Sequence, residues 1–368
     1  MIRVITTVGT SLFSNYLDAN KDIEIHYKNI KEKPFKEYHN LQARIKQVKA
    51  RVTPWAANNI EASAEIKSLW KIYEFLKQPL DVYLIATDTV VSALAAEIIK
   101  TRFDGEPDFT VHFKDADIIT GLQVKDYQLF VRNGLPNLVY RIGEITANHY
   151  GEAIFNIAGG YKGVIPYMTV MALVNNWSIY YIFEESQTVI EIPRAPIKID
   201  YDVFEKYSRE VNMLEEGIEK YNHIRSKSFL EFTELEKMGL VEAIDDIAFL
   251  SPLGVIFHEK YRQRFFDFYC NDEVWEEIQN QKDIQRIITE KFANKAAREN
   301  KTETKGMHMV FDDGDNQNRI YYFKHGGSIY IYKTFQNEEA ARKFIDSTLN
   351  KEEVMKKAKK RKWGLKDV

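Results

Sequence analysis

Five residues near the middle of the chain have the types and spacing of an anion-binding turn: Asn156, Gly159, Gly160, Tyr161 and Lys162. The apolar residues before this turn predict a short strand, and the nearly all-apolar residues 164–175 predict a helix that begins after it. Glycine lets the backbone turn sharply and lie close to a ligand, and the first turn of a helix offers free amide N–H groups. With a lysine beside them, these groups predict a site for an anion, most simply a phosphate.

A second small-residue turn follows the first strand of the chain. Residues 2–8 predict that strand, and the turn consists of Gly9, Thr10, Ser11 and Leu12, of which two carry hydroxyl groups. In an open parallel sheet, ligands bind outside the carboxyl ends of the strands. We therefore expect the two turns to face one crevice.

Asp88 is a third candidate at the end of a strand. Residues 82–86 predict the strand, and Thr87-Asp88-Thr89 precedes a helical pattern at residues 90–99. This tripeptide is typical of a helix cap, and its position at a carboxyl strand end also allows contact with a ligand. The sequence leaves both roles open.

Together, the turn Thr6-Thr7-Val8-Gly9-Thr10-Ser11 and the turn at residues 156–163 resemble those of the CRISPR-associated Rossmann fold family, called CARF. The resemblance covers residues 1–190. It implies a Rossmann-like domain that binds cyclic oligoadenylate, most simply cyclic tetra-adenylate, as an allosteric activator. It also implies a homodimer that shares the ring across its two-fold axis. No other cofactor and no metal ion is expected.

Some CARF domains also cleave their own ligand. By that resemblance, Ser11 orients the attacking 2′-hydroxyl of the ring and Lys162 stabilises the phosphate. Binding without cleavage is the simpler interpretation, and the sequence leaves both open.

Length, hydrophobicity and cysteine content limit the class of protein. The 368 residues are enough for two or three domains with their own cores, and 45 % of them are hydrophobic without a run long enough to span a bilayer. No signal peptide is predicted, because the first residues lead directly into a strand. The single cysteine, Cys270, excludes an internal disulfide, so we expect a soluble cytoplasmic protein. Cys270 itself is expected to be a buried helix residue.

Charge is distributed unevenly along the chain. The net charge is −3, but residues 259–368 have a balance of +4 and residues 1–258 a balance of −7. The carboxyl-terminal third is therefore the part expected to meet a polyanion such as RNA, although a solvated basic helix produces the same balance.

The order of elements predicts an α/β chain of three domains. Strands alternate with helices through residues 1–195, which predicts a parallel or mixed sheet with helices on both faces. A connector with two prolines follows. Residues 200–258 contain short helices, a glycine stop and a short strand, which resemble a winged helix. Because residues 231–246 are acidic, a linker or dimerisation role is favoured over DNA binding. Residues 259–368 form the third domain.

The third domain is predicted to combine helices with a small antiparallel sheet. Residues 259–300 predict two charged amphipathic helices, so Tyr261–Tyr269 are expected to be helical. Three aromatic and β-branched segments then predict a meander at residues 307–311, 319–324 and 328–333. A last helix is expected from about Glu338 to Lys362.

Two helices, a meander that contains Arg-Ile-Tyr-Tyr-Phe and a closing helix resemble the RelE toxin family, small α+β ribonucleases that cut messenger RNA on the ribosome without a metal. The resemblance implies messenger RNA and the ribosome as partners. It also implies that Arg319 binds phosphate and that Lys333 is the basic residue at the end of the last strand. RelE proteins usually begin with a strand before the two helices, and the helical pattern at Tyr261–Tyr269 predicts no such strand here.

RNA cleavage by attack of a 2′-hydroxyl on its own phosphate needs a proton acceptor, a proton donor and positive charge on the phosphorane. The side chains that can supply charge are Arg319, Lys333, Lys305 and Lys324, and those that can move protons are His308 and His325. The residues that can stack on a base are Tyr321, Tyr322, Tyr330 and Tyr332. Strand alternation places Arg319 and Tyr321 on one face and Tyr322 and Lys324 on the other, so only one set can line a site. A structural role remains the alternative for each tyrosine and for Arg319.

The leading hypothesis is a type III CRISPR ancillary effector in which cyclic oligoadenylate activates a RelE-like ribonuclease. The rival enzyme class is a HEPN ribonuclease acting on free RNA, which is marked by an arginine and a histidine a few residues apart. Arg319 and His325 have nominally this spacing, but their segment predicts a strand and a turn, whereas HEPN places the motif on a helix. The non-enzymatic alternative is a ligand-responsive regulator that binds DNA through the winged helix.

Overall fold

The structure, a computed structural model, describes residues 1–123, 125–147, 153–182, 188–314 and 316–365. The chain forms two compact units, Met1–Ile199 with Ser251–Phe257 and Asp200–Leu250 with His258–Val368. The division into three domains at 1–195, 200–258 and 259–368 remains a prediction. No helix within the described ranges is long and apolar enough to cross a membrane.

Within its described residues, the first unit contains one sheet of seven strands: β1 (Ile2–Val8), β2 (Leu80–Thr87), β3 (Phe109–His112), β4 (Ile118–Ile119), β5 (Ala153–Asn156), β6 (Ser178–Ile182) and β7 (Val189–Ile192). The strand order is β3-β2-β1-β5-β6-β7, and β4 pairs with the end of β2. Every pairing is parallel except that of β6 with β7. This is the Rossmann-like α/β sheet that the alternation of strands and helices predicted.

The order of this sheet reverses beside β1. The chain moves outward from β1 through β2 to β3 on one side and later fills the other side with β5 and β6. β1 and β5 are direct neighbours, with Arg3 opposite Ala153 and Thr6 opposite Asn156. In open α/β sheets, ligands bind at such a reversal, outside the carboxyl ends of the strands. The turns that follow β1 and β5 therefore meet at one crevice.

The α-helices in the described part of the first unit are α1 (Ser11–Ala19), α2 (Glu24–Ile30), α3 (Gln42–Ala57), α4 (Ala64–Leu76), α5 (Val90–Phe103), α6 (Tyr127–Leu129), α7 (Leu135–Thr146) and α8 (Ile165–Asn175). Apolar side chains of α1 to α5 form the main core with the strands. Pro166 lies in the first turn of α8, where its missing N–H is tolerated. The hydroxyl of Thr89 caps α5 by accepting a hydrogen bond from the amide of Ser92, as predicted.

The second unit begins with short helices and a small sheet: α9 (Asp202–Lys206), α10 (Ser208–Glu216), β8 (Ile218–Glu219), α11 (Tyr221–Lys227), α12 (Phe229–Lys237), β9 (Val241–Ile244), β10 (Ile247–Leu250) and α13 (Pro252–Arg264), of which the residues from His258 onward belong to this unit. The strand order is β8-β10-β9, with antiparallel pairs. The single short strand expected here is a hairpin, because Asp245 and Asp246 both adopt positive φ and form a two-residue turn. The winged-helix assignment stays a prediction.

A six-stranded sheet lies in the described remainder of the second unit: β11 (Phe265–Cys270), β12 (Thr302–Lys305), β13 (His308–Phe311), β14 (Arg319–His325), β15 (Ser328–Phe335) and β16 (Lys359–Gly364). Its order is β12-β13-β14-β15-β11-β16. The predicted meander is confirmed, because β13, β14 and β15 pair antiparallel in sequence. The accompanying helices are α14 (Asp272–Asn280), α15 (Lys282–Ile287), α16 (Lys295–Asn300), α17 (Glu338–Phe344) and α18 (Lys351–Lys357).

The helix expected over Tyr261–Tyr269 is wrong in its second half. That part belongs to β11, which pairs parallel with β15 and antiparallel with β16. Alternation explains the strand, since every second side chain, namely Phe266, Phe268 and Cys270, is buried in the core formed with α14 and α15. Cys270 is therefore buried, as expected, but in a strand and not in a helix.

The long last helix expected up to Lys362 is also wrong. This segment forms the short helices α17 and α18 and then the strand β16. The indole of Trp363 packs against the core of the sheet, and Lys359 and Arg361 both contact the carboxylate of Asp272. The basic run is therefore largely compensated within the second unit and does not form a free basic helix.

Candidate functional site

The turns that follow β1 and β5 are in direct contact. The hydroxyl of Thr7 donates a hydrogen bond to the carbonyl oxygen of Gly159 at 2.7 Å, and a Cβ atom on Gly9 would lie 2.9 Å from the amide nitrogen of Gly160. Gly160 has a φ of 93°, which favours glycine, and a Cβ atom there would lie 2.6 Å from the Cβ atom of Thr7. Close approach of the two backbones therefore requires glycine at these positions.

An acidic side chain from outside both turns occupies the first one. The carboxylate of Glu65, in the first turn of α4, accepts a hydrogen bond from the amide N–H of Gly9 at 2.7 Å and another from the hydroxyl of Ser11 at 3.2 Å. It also lies against the second turn, because a Cβ atom on Gly159 would be 2.1 Å from its Oε1 atom. Glu65 is only 1 % exposed. In this conformation, the amide of Gly9 is not free to bind a ligand.

The second turn keeps its donors available. Among the described residues, no hydrogen-bond acceptor contacts the amide N–H groups of Gly160, Tyr161 or Lys162. These residues precede α8, a helix of 11 residues whose amino-terminal end adds positive potential. Lys162 is exposed to solvent beside them. Amide donors, a helix start and an ammonium group together form a geometry that suits an anion.

Side chains of the two turns differ in how far solvent reaches them. Thr10 is exposed, Ser11 is half-buried, and Leu12 is buried in the core of the first unit. The half-buried ring of Tyr161 meets the ring of Phe130 edge-on, with 5.5 Å between the centroids. A ligand in the crevice can therefore reach the side chains of Thr10, Ser11 and Tyr161, whereas Leu12 fixes the start of α1.

Asn156 and Asp88 hold the backbone around the crevice. The side-chain amide of Asn156 is buried and donates to the hydroxyl of Ser68 at 2.7 Å, while its oxygen accepts from the amide of Ala158 at 3.3 Å. The carboxylate of Asp88 accepts a hydrogen bond from the amide of Gly121 at 2.9 Å. Both side chains thus have structural partners, and their contact with a ligand stays a prediction.

The crevice combines unpaired amide N–H groups and an exposed lysine at the second turn with a buried carboxylate at the first. Residues 60–195 match the family model of Cas_APE2256, a CRISPR-associated protein. The matched range contains Glu65 and the whole second turn, but not β1 or the first turn. Over this range the chain is therefore similar to CRISPR-associated proteins. No curated protein matches the chain.

In the second unit, two of the predicted cations meet at one carboxylate. Arg319 forms an ion pair of 2.9 Å with Asp312, and the ammonium nitrogen of Lys305 lies 4.0 Å from the same carboxylate. The guanidinium of Arg319 also donates to the carbonyl oxygens of Asn316 and Asn318 and is held in one orientation. Arg319 is only 8 % exposed. Arg319 and Lys305 thus share one carboxylate, and their contact with a phosphate stays a prediction.

His308, Tyr321 and Tyr332 form a second cluster beside this pair. The Nδ1 atom of His308 lies 2.8 Å from the hydroxyl of Tyr332, and its Nε2 atom lies 3.0 Å from the carbonyl oxygen of Ser347. A carbonyl oxygen only accepts hydrogen bonds, so Nε2 carries the proton and Nδ1 accepts from Tyr332. Burial raises the pKa of Tyr332, which therefore stays protonated near neutral pH. The hydroxyl of Tyr321 donates to the carbonyl oxygen of Ala341 in α17.

The cluster is covered in this conformation. Tyr321 and His308 are each 1 % exposed, and the rings of both contact Phe344 of α17 at centroid distances of 5.3 Å. Either side chain can reach RNA only if α17 moves.

Lys324 and Lys333 are paired with carboxylates on two different helices. The ammonium nitrogen of Lys333 lies 2.6 Å from Glu277 in α14, and that of Lys324 lies 2.6 Å from Glu299 in α16. Tyr322 is fully buried in the core formed with α14 and α15. The alternation predicted along β14 is therefore confirmed. Lys324 and Lys333 are each held by a helix carboxylate, although Lys333 lies opposite Tyr321 in the pairing of β14 with β15.

Arg319 and His325 stand at opposite ends of β14. At about 3.3 Å per residue, their Cα atoms are roughly 20 Å apart along the strand. Side chains at that separation do not act on one phosphate. Within one chain, the spacing that suggested a HEPN motif therefore does not bring the two side chains together, and the HEPN alternative stays a prediction.

Two residues at these sites, Glu65 and Asp312, were not predicted. Glu65 follows the capping residue Ser63, whose hydroxyl accepts from the amide of Ile66, and acidic residues are common in the first turn of any helix. Asp312 directly follows β13, in a polar turn. The only sequence signal for Asp312 is its position next to a strand that carries a histidine.

Proposed function

We propose that the chain is an ancillary effector of type III CRISPR immunity, in which cyclic oligoadenylate binds the first unit of a homodimer and activates a RelE-like ribonuclease in the second. The observation that carries the proposal is the contact between the two turns at the reversal of the sheet. The match of residues 60–195 to a CRISPR-associated protein family supports the same context. Amide N–H groups and one lysine suit the phosphodiesters of such a ring.

The buried carboxylate of Glu65 affects how an anionic ring enters the crevice. A phosphate on the amides of Gly160 to Lys162 lies next to the turn that holds Glu65, and two negative charges in a partly buried site repel each other. We therefore place the first phosphate on the second turn, with Glu65 leaving Gly9 as a further phosphate oxygen takes its N–H. Glu65 is then an internal substitute for the ligand.

The ribonuclease half rests on the order of elements in the second unit. In the second unit β11 is followed by the helices α14, α15 and α16 and then by the antiparallel strands β12 to β15. This order is close to the strand, two helices and meander that the RelE resemblance implies, with one helix and one strand more. During cleavage the 2′-oxygen attacks phosphorus and the bond to the 5′-oxygen breaks. Arg319 and Lys305 stabilise the charge on the phosphorane. His308 exchanges protons with the two oxygens once α17 has moved, so this helix is where activation acts.

A cleavage assay with full-length protein tests the proposal. Ribosomes carrying a defined messenger RNA, and the same RNA without ribosomes, are each incubated without a ring, with cyclic tetra-adenylate and with cyclic hexa-adenylate. We expect cleavage on ribosomes and only with one of the rings, and Lys162→Ala should raise the ring concentration needed for half-maximal activity. Cleavage that ignores both rings would remove the sensor, and ring-dependent cleavage of naked RNA alone would favour a free-RNA ribonuclease. A ring-dependent shift of duplex DNA without cleavage would favour the DNA-binding alternative.

A second activity, cleavage of the bound ring, is favoured by the hydrogen bond between Ser11 and Glu65. In this reaction the ring's 2′-hydroxyl passes its proton through Ser11 to the carboxylate, its oxygen attacks phosphorus, and the 5′-oxygen leaves with a proton from Lys162. The product is a linear oligoadenylate with a 2′,3′-cyclic phosphate. Chromatography of cyclic tetra-adenylate after incubation with the full chain tests this activity: wild type should open the ring and Ser11→Ala should not. A ring that stays intact with wild type would leave binding alone.

A further inference from the structure

A small cavity in the second unit is lined by none of the residues to which the proposed function gives a part in RNA cleavage, namely Arg319, Lys305 and His308. Its volume is about 90 Å³, and its wall includes the end of α13, the start of α16 and the hairpin between β14 and β15. Three polar side chains on this wall, His258, Lys295 and Arg298, are incompletely paired.

His258 and Arg298 are both more than nine-tenths buried. The guanidinium of Arg298 donates through Nη1 to the carbonyl oxygens of Phe292 and Ala293 and lies over the ring of Phe266, but its buried Nε atom has no hydrogen-bond partner. The imidazole of His258 stacks on the ring of Phe204 and forms no hydrogen bond with the described residues. Buried donors without partners destabilise a protein unless a ligand or solvent satisfies them.

The charges around the cavity do not balance. Two carboxylates on its wall are already engaged by cations or donors: Glu215 pairs with Arg262, and Oδ2 of Asp267 accepts from Tyr261 and contacts Lys360. The buried Oδ1 atom of Asp267 has no hydrogen-bond partner among the described residues. Lys324 is likewise paired with Glu299, and Glu216 is exposed to solvent. Lys295, by contrast, forms no ion pair within the described residues, and it acts on Glu215 only through its field. Positive charge is therefore left over on the α16 side of the cavity.

We propose that this cavity binds a single phosphate group, held by Arg298, Lys295 and His258. A tetrahedral dianion can accept from the free guanidinium edge, from the ammonium group and from one N–H of the imidazole at the same time. The cavity is large enough for one such group and too small for a nucleobase with its sugar. The phosphate is either free orthophosphate or the terminal phosphate of an RNA strand.

Calorimetric titration of the full chain at constant ionic strength tests the site. The probes are sulfate, orthophosphate, and a short single-stranded RNA with and without a 3′-terminal phosphate. We expect sulfate and orthophosphate to bind, and Lys295→Met to weaken both at least about tenfold, which is about 1.4 kcal/mol. Arg298→Lys should weaken them as well, because a point charge lacks the planar fork of arginine. The matched control is Lys282→Met, which removes an exposed lysine of α15 that does not line the cavity.

The RNA probes identify the source of the phosphate. Tighter binding of the phosphorylated strand than of orthophosphate assigns the site to RNA ends, and equal binding of the two assigns it to free phosphate. If sulfate and orthophosphate produce no heat beyond that of chloride, or if Lys282→Met weakens them as much as Lys295→Met, the site does not exist. Lys295 is a surface residue, so its variant should fold even if Arg298→Lys does not.

Discussion

The carboxylate of Glu65 and the amide of Gly9 are joined by a hydrogen bond of 2.7 Å where the two turns meet. This bond places a buried carboxylate on an amide group of the turn that the sequence analysis expects to face the ligand crevice. The same carboxylate leaves no space for a side chain at Gly159, so both turns fit around it. The first turn is thus filled by an internal carboxylate, which the ligand of the proposed function has to replace.

Replacing Glu65 by glutamine should therefore strengthen the binding of cyclic tetra-adenylate. In Glu65→Gln the side-chain oxygen still accepts from Gly9, so the turn keeps its shape, while the repelling charge is lost. We expect the dissociation constant to fall about tenfold, or about 1.4 kcal/mol, in calorimetric titrations of the full chain. Glu74→Gln, an exposed position near the end of the same helix, is the control and should bind as wild type does. Weaker binding by Glu65→Gln would show that the carboxylate helps to hold the ring.

The sequence predicts the two turns of this site but not the carboxylate of Glu65 that lies between them. Strand, glycine turn and helix start are each encoded within a dozen or so neighbouring residues, so local patterns are enough to find them. Glu65 is 56 positions from Gly9, and its place in the first turn of α4 is ordinary for an acidic residue. Only the packing of α4 beside β1 and β5 brings it to the turn.

The two wrong elements of the second unit have a similar cause. Phe265–Cys270 is an almost continuous aromatic run, and a short apolar run cannot be assigned to helix or strand by its periodicity. Lys359–Gly364 has the charge density of a solvated helix, but it becomes a strand because β11 offers an edge for pairing and Asp272 offers a partner for its cations. Tertiary pairing decides both elements, as is common for strands.

Gly160→Ala should destabilise the first unit more than the same substitution at another glycine of similar backbone conformation. The new Cβ atom would lie 2.6 Å from the side chain of Thr7, and the φ of 93° is strained for alanine. We expect the free energy of unfolding to fall by about 3 kcal/mol, measured by urea denaturation. Gly105→Ala is the matched control, because Gly105 has a φ of 90° and open space around it. It should lose only about 1 kcal/mol, and equal losses would mean that the contact between the turns is loose.

Lys305→Met should slow ring-activated cleavage on ribosomes without unfolding the protein. Its ammonium group is one-third exposed and pairs with Glu303 as well as approaching Asp312, and such pairs contribute less than about 1 kcal/mol to stability. Loss of one positive charge that stabilises the negatively charged phosphorane should reduce the cleavage rate about a hundredfold. Lys357→Met, at an exposed position of α18, removes a lysine of the same unit and should cleave at the wild-type rate. An unchanged rate for Lys305→Met would exclude this residue from the reaction.

His258 should make the protein less stable as the pH falls. Burial, together with the positive charges of Arg262 and Lys295, lowers its pKa to about 4, although Glu215 acts in the opposite direction. The unfolded chain takes up a proton at this residue below a pH of about 6.5 and the folded chain does not, so stability present above that pH is lost between 6.5 and 4. The loss amounts to about 3 kcal/mol. Urea denaturation of the full chain at a series of pH values measures it.

Burial raises the pKa of Glu259 and Asp267, which makes the folded protein more stable as the pH falls and so opposes the effect of His258. Because both carboxyl groups are present in wild type and in His258→Gln, the difference between the two proteins isolates the contribution of His258. His258→Gln should lose less stability than wild type between pH 7 and pH 4.5, whatever its stability at pH 7. His223→Gln, which changes an exposed histidine, should keep the wild-type dependence. Parallel curves for His258→Gln and wild type would mean that His258 is protonated in the folded protein. A counterion or water in the cavity would then already be bound to His258. The description of His258 as unpaired would be wrong.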